Sequence, residues 1–497
     1  MRITNPLPGA TIGLTTIMRE APVLELEAGF HPAPPFSSEP DSDSNPRPAT
    51  FAPSPTALHA IHSQMAIIIP CKNEDPATLH GVLQGIPHPC TILLISASTP
   101  TQYAAEAAVL SSFCLPGRRR GLALHQRDPV ASAALSAAGM ASSLFDPATG
   151  AVRAGKGEGM ILGTAVVLAL FPQLRYIGFL DADAKVPGAP HEYCRSLSRG
   201  DDDDVMVRIH WGSKPKPRKD GSGGLDFGVA EGRSSRIVNE WMNRFVQATG
   251  EGGGGGEDKM VTTGNAGEHA MTVSLAKKLQ FAGGYAIEPF HYVDLFVRHG
   301  VPGHDGDVVD TLHLSTPMTR SNSNSTTGSG SGGWTDSVAD SVRSMATSSS
   351  SPDAAGCYSG RSRTPDCQAR SDDIPLELSP VRVVQIKTIN AHIHRETDDA
   401  HVRNMWKMGL GTLYHHLLPE YIRSPYVRQG VRERMVQLRT DMEAFVEANN
   451  REFGDTASEG QPLLPEPRVY PALQTLDMEV LRKMLESGDG SLQRFWF

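Results

Sequence analysis

Short apolar runs recur between residues 65 and 300, and their spacing sets the reading of the fold. Residues 65–70 (MAIIIP), 91–96 (TILLIS) and 174–180 (LRYIGFL) are continuous apolar stretches with the length of a buried parallel strand. Residues 205–211 (VMVRIHW) alternate, as a strand with one wetter face does. Ile237, Trp241 and Phe245 recur every four residues, which predicts a helix over 234–248. Further helices are predicted over 160–170, 268–279 and 289–299. Strands alternating with helices predict an α/β fold with a mostly parallel sheet. Ligands then sit at the carboxyl ends of the strands.

The texture outside these runs divides the chain. Residues 1–30 carry strand-like pieces. Residues 31–56 are rich in Pro, Ser and Asp and read as a linker. A core follows over 57–302, interrupted by a glycine-rich loop at 250–258 (GEGGGGGED). Residues 303–378 are rich in Ser, Thr and Gly and read as a disordered insertion. The domain resumes over 379–497 with a strand at 381–387 (VRVVQIK) and helices at about 398–418, 426–449 and 473–487.

Charge and cysteine usage narrow the function classes. The net charge is −9 with no dominant basic block, which argues against nucleic acid as a partner. The six cysteines, at 71, 90, 114, 194, 357 and 367, show no CxxC pair, so reduced thiols in the cytoplasm are expected. The N-terminus lacks the charged-then-apolar pattern of a secretory signal. The longest apolar stretch, 160–171, is too short to span a bilayer, so no membrane is expected as a partner.

Five segments carry candidate chemistry. Asp181-Ala182-Asp183 follows an apolar strand directly, which places two hard oxygen ligands at a sheet edge where a divalent ion bridges a diphosphate. The acidic run 201–204 lies in a loop before a strand and reads as solvent-exposed. Pro70-Cys71-Lys72-Asn73-Glu74 is a polar turn after the first strand. There Glu74 either accepts from a guanine edge or a ribose hydroxyl, or is a helix N-terminal acid. Lys156, in the turn 155–159 (GKGEG), either neutralises a phosphate or reaches the base. The turn 262–269 (TTGNAGEH) is read as opening a helix whose amides bind an acceptor phosphate, against ordinary capping by Asn265 or Thr263. His392 and His394 follow a strand, either completing the metal site of Asp183 or forming a surface pair.

Eleven segments occur in one order: MAIIIPCKNE, GVLQGIPHPC, LLISAS, HQRDP, RAGKGEGMILG, GFLDAD, VPGA-x-x-EY, VRIHW-x-x-KPK, TTGNAGEHAMT, GGYAIEP and NAHIH. Together they resemble the mannosyl-3-phosphoglycerate synthase family, retaining glycosyltransferases with a GT-A fold. The likeness covers about 62–300 and 381–420, and the long insertion resembles those of fungal members. It implies transfer of mannose from GDP-mannose to the 2-hydroxyl of 3-phosphoglycerate, in mannosylglycerate biosynthesis, with Mg²⁺ or Mn²⁺ as cofactor. A homodimer stays open as the assembly. By motif, Pro70, Lys72 and Glu74 line the guanosine site, helped by Ser96, Gln126 and Lys156. Asp181, with Ala182 beside it, contacts the ribose or sugar, and Asp183 binds the metal with His394, or else His392. Arg208, Thr263, Gly264, Asn265 and Ala266 are candidates for the acceptor. Glu268 is the carboxylate to test as a nucleophile, against same-face substitution and against a role as a first-turn helix acid.

Two departures are visible. Ala97 stands where the family has Asn between two serines, which removes a side-chain contact. NAHIH replaces NPHLH with its histidine spacing intact. Three other readings remain: a glucosyl-3-phosphoglycerate synthase-like transferase, a sugar nucleotidyltransferase, and a non-catalytic sugar-nucleotide sensor.

Overall fold

The computed structural model describes residues 2–25, 50–51, 53–184, 190, 192, 197, 204–213, 216–217, 225–226, 232–250, 260–300, 379–391, 398–452, 462–488 and 490–495. The stretch read as an insertion, most of the proposed linker, nearly all of the glycine-rich loop and both His392 and His394 lie outside these residues.

Seven strands form the centre of the sheet: β1 (Met65–Cys71), β2 (Thr91–Ser96), β3 (Gly121–His125), β4 (Tyr176–Phe179), β5 (Asp204–Ser213), β6 (His269–Thr272) and β7 (Val381–Ala391). Their order is β3-β2-β1-β4-β6-β5-β7. All neighbours are parallel except β6, which runs antiparallel to both β4 and β5. β2 and β4 are buried throughout and β1 nearly so, as strands covered on both faces must be. This is the α/β architecture with a mostly parallel central sheet that the alternation of strands and helices predicts. At one edge, Thr15–Met18 and Ala21–Glu25 pair parallel with β7. At the other, Gln493–Phe495 pairs antiparallel with β3. Both ends of the chain thus cover edges that would otherwise expose unpaired backbone. Thr50–Phe51, at the end of the stretch read as a linker, pairs with the strand at Arg2–Thr4, and a helix begins at Pro55.

The helices after β1, β2 and β3 begin alike. Each has a capping side chain followed by proline: Asp75-Pro76 opens α1 (Pro76–Gln84), Thr99-Pro100 opens α2 (Pro100–Cys114) and Asp128-Pro129 opens α3 (Pro129–Ala137). The cap accepts from a first-turn amide, and proline at the first position loses no intrahelical bond. The next helix, α4 (Lys156–Leu170), has no side-chain cap at Gly155 and is buried along most of its length. Gly163 allows α4 to lie close on the sheet, since a Cβ there would sit 2.6 Å from Ile68 Cγ2.

α5 (Arg233–Thr249) buries Val238, Trp241, Met242 and Phe245 and ends on Gly250, whose φ is 85°. α6 (Ile287–Gly300), α7 (Asp399–Thr412) and α8 (Gln429–Glu452) follow, with shorter helices at Leu418–Arg423 and Met478–Ser487. Phe445 of α8 joins it to the core, with ring centroids 5.6 Å from Trp241 and 5.8 Å from Trp406. Among the described residues no helix is long and apolar enough to cross a membrane.

The helix expected over 268–279 is corrected. His269–Thr272 is a strand, and only Val273–Lys278 is helical. The segment fills the gap between β4 and β5 and bonds to both, with Phe179↔His269 and Arg208↔His269 in register. Backbone pairing on two sides overrides the local pattern. The turn 262–268 therefore opens no helix, and neither the helix-amide anion site nor the first-turn role of Glu268 exists.

Candidate active site

Four elements meet where β4 ends. Asp181 and Asp183 lie in the turn after Phe179 and Leu180. Lys156, the first residue of α4, makes an ion pair with Asp181 and a second, at 2.6 Å, with Glu288 Oε1 in the first turn of α6. Gly267, just before β6, backs the pair. A Cβ there would lie 2.3 Å from Asp181 Oδ2 and 2.8 Å from Lys156 Nζ. Glycine is thus required for close approach rather than for its backbone angles.

One cation therefore sits between two carboxylates in a largely buried place. Burial alone would lower the pKa of Lys156, but the charges of Asp181 and Glu288 outweigh it and hold the ammonium well above the usual lysine range. Glu288 is raised, by burial first and then by the Asp181 charge, with Lys156 and Arg208 opposing. The Tyr285 phenol is raised by burial, and Lys156, Glu288, Asp181 and Asp183 all act on it electrostatically. Tyr285 therefore belongs to the same cluster.

Arg208 is fully buried beside this cluster. Its Nε donates to Thr263 O at 2.9 Å. Its Nη2 donates to Ala266 O at 3.3 Å and Glu288 O at 2.9 Å. Its Nη1 faces Met206 Sδ, and the guanidinium lies 4.8 Å from the Tyr292 ring centroid. Arg208 is expected at the acceptor; here its donors are engaged by carbonyls and sulfur and the group has no exposed face. Arg208 instead shapes the turn 263–266. In that turn, Thr263 Oγ1 bonds the Tyr292 hydroxyl at 2.8 Å and Gln385 Oε1 at 2.9 Å. Gly264 N donates to Asn239 Oδ1 at 2.7 Å. Asn265 Nδ2 reaches Ser234 Oγ at 3.3 Å, while its buried Oδ1 has no hydrogen-bond partner.

The donor-side candidates divide in two. Pro70, near the end of β1, and Glu74 are part-exposed and Lys72 is exposed, the last two in the turn after β1. The helix cap there is Asp75, which accepts from Ala77 N and Thr78 N, both at 3.0 Å; Glu74 is not the cap. Ser96 and Gln126, expected to help hold the donor, are buried and bonded within the protein. Ser96 Oγ donates to Glu106 Oε2 at 2.6 Å, and Ser98 Oγ to Glu106 Oε1 at 2.7 Å. Ser98 Oγ also accepts from Asn73 N at 2.7 Å, so the buried Glu106 fixes the turns after β1 and β2 together. Gln126 Nε2 donates to Arg153 O at 2.7 Å and Gly155 O at 2.9 Å, holding the approach to Lys156.

Glu268 is buried, and its Oε2 accepts from Trp211 Nε1 at 3.0 Å. Ala182 is buried between the two aspartates. The metal set expected of Asp183 with His394 or His392 falls partly outside the described residues. Among the described residues no group of three or more His, Cys, Asp or Glu is placed to hold a metal. The Asp183 carboxylate is of the hard oxygen type that Mg²⁺ and Mn²⁺ prefer.

A family model described as mannosyl-3-phosphoglycerate synthase (osmo_MPGsynth) matches residues 6–485. The chain belongs to the mannosyl-3-phosphoglycerate synthase family. It is a glycosyltransferase. A mannosyl-3-phosphoglycerate synthase of Pyrococcus furiosus is 27% identical over 439 residues, 87% of this chain and 86% of that protein. One from Aeropyrum pernix is 28% identical over 360 residues, 71% of this chain and 72% of that protein. Neither is fungal, so the expected fungal kinship finds no support in them. Among solved structures, a glucosyl-3-phosphoglycerate synthase of Mycobacterium tuberculosis in complex with Mn²⁺, UDP and glucosyl-3-phosphoglycerate superposes with a TM-score of 0.40. It is 15% identical and covers 74% of this chain and 86% of that one.

Within this member of the mannosyl-3-phosphoglycerate synthase family, the sequence reading missed three buried polar residues. Glu106 lies on a helix, where a lone glutamate carries no signal, and Glu288 stands in the segment GGYAIEP without a role of its own. Gln385 did leave one: it is the single uncharged polar side chain in VRVVQIK, a strand mostly buried apart from its two charged residues.

Proposed function

We propose that this chain transfers mannose from GDP-mannose to the 2-hydroxyl of 3-phosphoglycerate, with retained anomeric configuration, in the cytoplasm. The observation that carries the reading is the family match over residues 6–485. The Lys156–Asp181–Glu288 cluster at the carboxyl end of β4 supports it, as does the general rule that open parallel sheets bind ligands there.

On this reading Pro70, Lys72 and Glu74 hold the guanosine. Asp181, Ala182 and Lys156 hold the sugar and diphosphate side of the donor, and the turn 263–266 receives the acceptor. Asp183, with His394 first and His392 second, would hold a divalent cation, which when bound offsets the charge that grows on the departing phosphate. Lys156 adds a fixed positive charge in a place screened from water, where such charge acts most strongly. Glu268 is a poor nucleophile, being buried and bonded to Trp211. Same-face substitution is favoured, with the departing phosphate taking the proton of the attacking hydroxyl.

Incubation of the purified chain and Mg²⁺ with 3-phosphoglycerate and, in turn, GDP-mannose, GDP-glucose and UDP-glucose tests the proposal. GDP-mannose is expected to turn over fastest. Faster turnover of a glucose donor would make the chain a glucosyl-3-phosphoglycerate synthase-like enzyme. Pyrophosphate release from a nucleoside triphosphate and a sugar phosphate would make it a nucleotidyltransferase, and binding without turnover a sensor.

A further inference from the structure

We infer that Gln385 is a positioning residue that sets the turn 262–266 for the acceptor; the inference rests on the reading of that turn as the acceptor loop. Gln385 lies in β7 directly opposite Arg208 of β5, and both side chains are fully buried. Its Oε1 accepts from Thr262 N at 2.8 Å and Thr263 Oγ1 at 2.9 Å, with Thr262 Oγ1 and the Tyr292 hydroxyl both at 3.3 Å. Its Nε2 donates to Met260 O at 2.7 Å and Met18 O at 3.1 Å. One amide thus binds the start of the turn, α6 and the N-terminal strand that ends at Met18.

The chemistry demands glutamine. The site presents two carbonyls that need donors, and an amide and hydroxyls that need an acceptor. Glutamate would leave both carbonyls without a donor and bury a charge; methionine would satisfy none of them. Buried polar networks fix a geometry when complete and release it when one member is lost. Arg208 grips the same turn from Thr263 onward, so Gln385 and Arg208 hold its two ends from adjacent strands. Arg208 also bonds Glu288 O, but the bonds of Gln385 go to Thr262, Thr263, Tyr292, Met260 and Met18 and not to Lys156, Asp181 or Glu288. Loss of Gln385 should therefore loosen the acceptor side and leave the donor side in place.

The test is steady-state kinetics of the full chain with GDP-mannose and 3-phosphoglycerate for wild type, Gln385→Met and Gln385→Glu. Hydrogen exchange is followed over residues 260–266. The expected result is a KM for 3-phosphoglycerate raised about tenfold in both variants, as fits the loss of one or two buried hydrogen bonds. The GDP-mannose KM should stay unchanged, and exchange at Thr262 should be faster. An equal rise in both KM values, a fall in kcat alone, or unchanged kinetics would overturn the inference. So would insoluble protein from both variants, which would make Gln385 a residue of the fold only. A wild-type chain that transfers no mannose would instead sink the proposed function.

Discussion

Lys156 Nζ lies 2.6 Å from Glu288 Oε1 while the same ammonium pairs with Asp181. The first residue of one helix and the first turn of another are thereby tied to the acidic turn at the end of β4. Glu288 is buried, and the Lys156 ammonium supplies its counter-charge.

Lys156→Met is expected to destabilise the chain by about 3–5 kcal/mol, because it strands a carboxylate in a buried place. The double variant Lys156→Met/Glu288→Gln should recover most of that loss, since the buried charge is gone. The GDP-mannose KM should stay raised in both. Denaturant titration and donor titration separate the two effects. An unchanged donor KM would remove Lys156 from the donor site.

Gly267→Ala should leave the fold intact and lower turnover about 100-fold, the cost of a roughly 1 Å misplacement of catalytic groups. The added methyl would meet Asp181 Oδ2 and Lys156 Nζ below contact distance. Gly81→Ala, in the middle of α1 with nothing within 4 Å of the new methyl, should keep activity and stabilise by about 0.4–1 kcal/mol. Equal activity in the two variants would argue against the close approach at Gly267.

Acid should destabilise the chain through His291. Burial first, and then the Arg208 charge, push its pKa down to about 3. Both of its ring nitrogens are buried without a hydrogen-bond partner. In the unfolded chain the same group titrates near its ordinary value of about 6.5. The unfolded state then binds more protons between these values, so stability is complete above about pH 6.5 and is lost as pH falls toward 3. His269, its ring neighbour at 5.1 Å, shifts in the same direction through burial and Arg208. His291→Leu should flatten this acid limb when melting temperatures are compared at about pH 7.5 and about pH 5. An unchanged slope would mean that the acid sensitivity arises elsewhere.

Legibility from sequence followed the source of each signal. β1 and β2 were readable because strands buried on both faces are continuously apolar, and α5 because Ile237, Trp241 and Phe245 mark one face. β6 was not readable. Its state depends on the two strands beside it, and HAMT followed by VSLAKK has no strand period of its own. In the site, the acidic turn after β4 and the polar turn after β1 were visible as polar residues ending apolar runs. Ser96, Gln126 and Arg208 were visible too, but the direction of their side chains was not. That direction is set by Glu106, by the carbonyls of Arg153 and Gly155, and by those of Thr263, Ala266 and Glu288, all distant in sequence.

The most direct test of the whole account is proton NMR of the product formed from GDP-mannose and 3-phosphoglycerate with Mg²⁺, for wild type and Asp183→Ala. Wild type should give a mannosyl-3-phosphoglycerate with the donor's anomeric configuration, and the folded variant none. An inverted anomer, or near wild-type turnover by Asp183→Ala with added Mn²⁺, would contradict it.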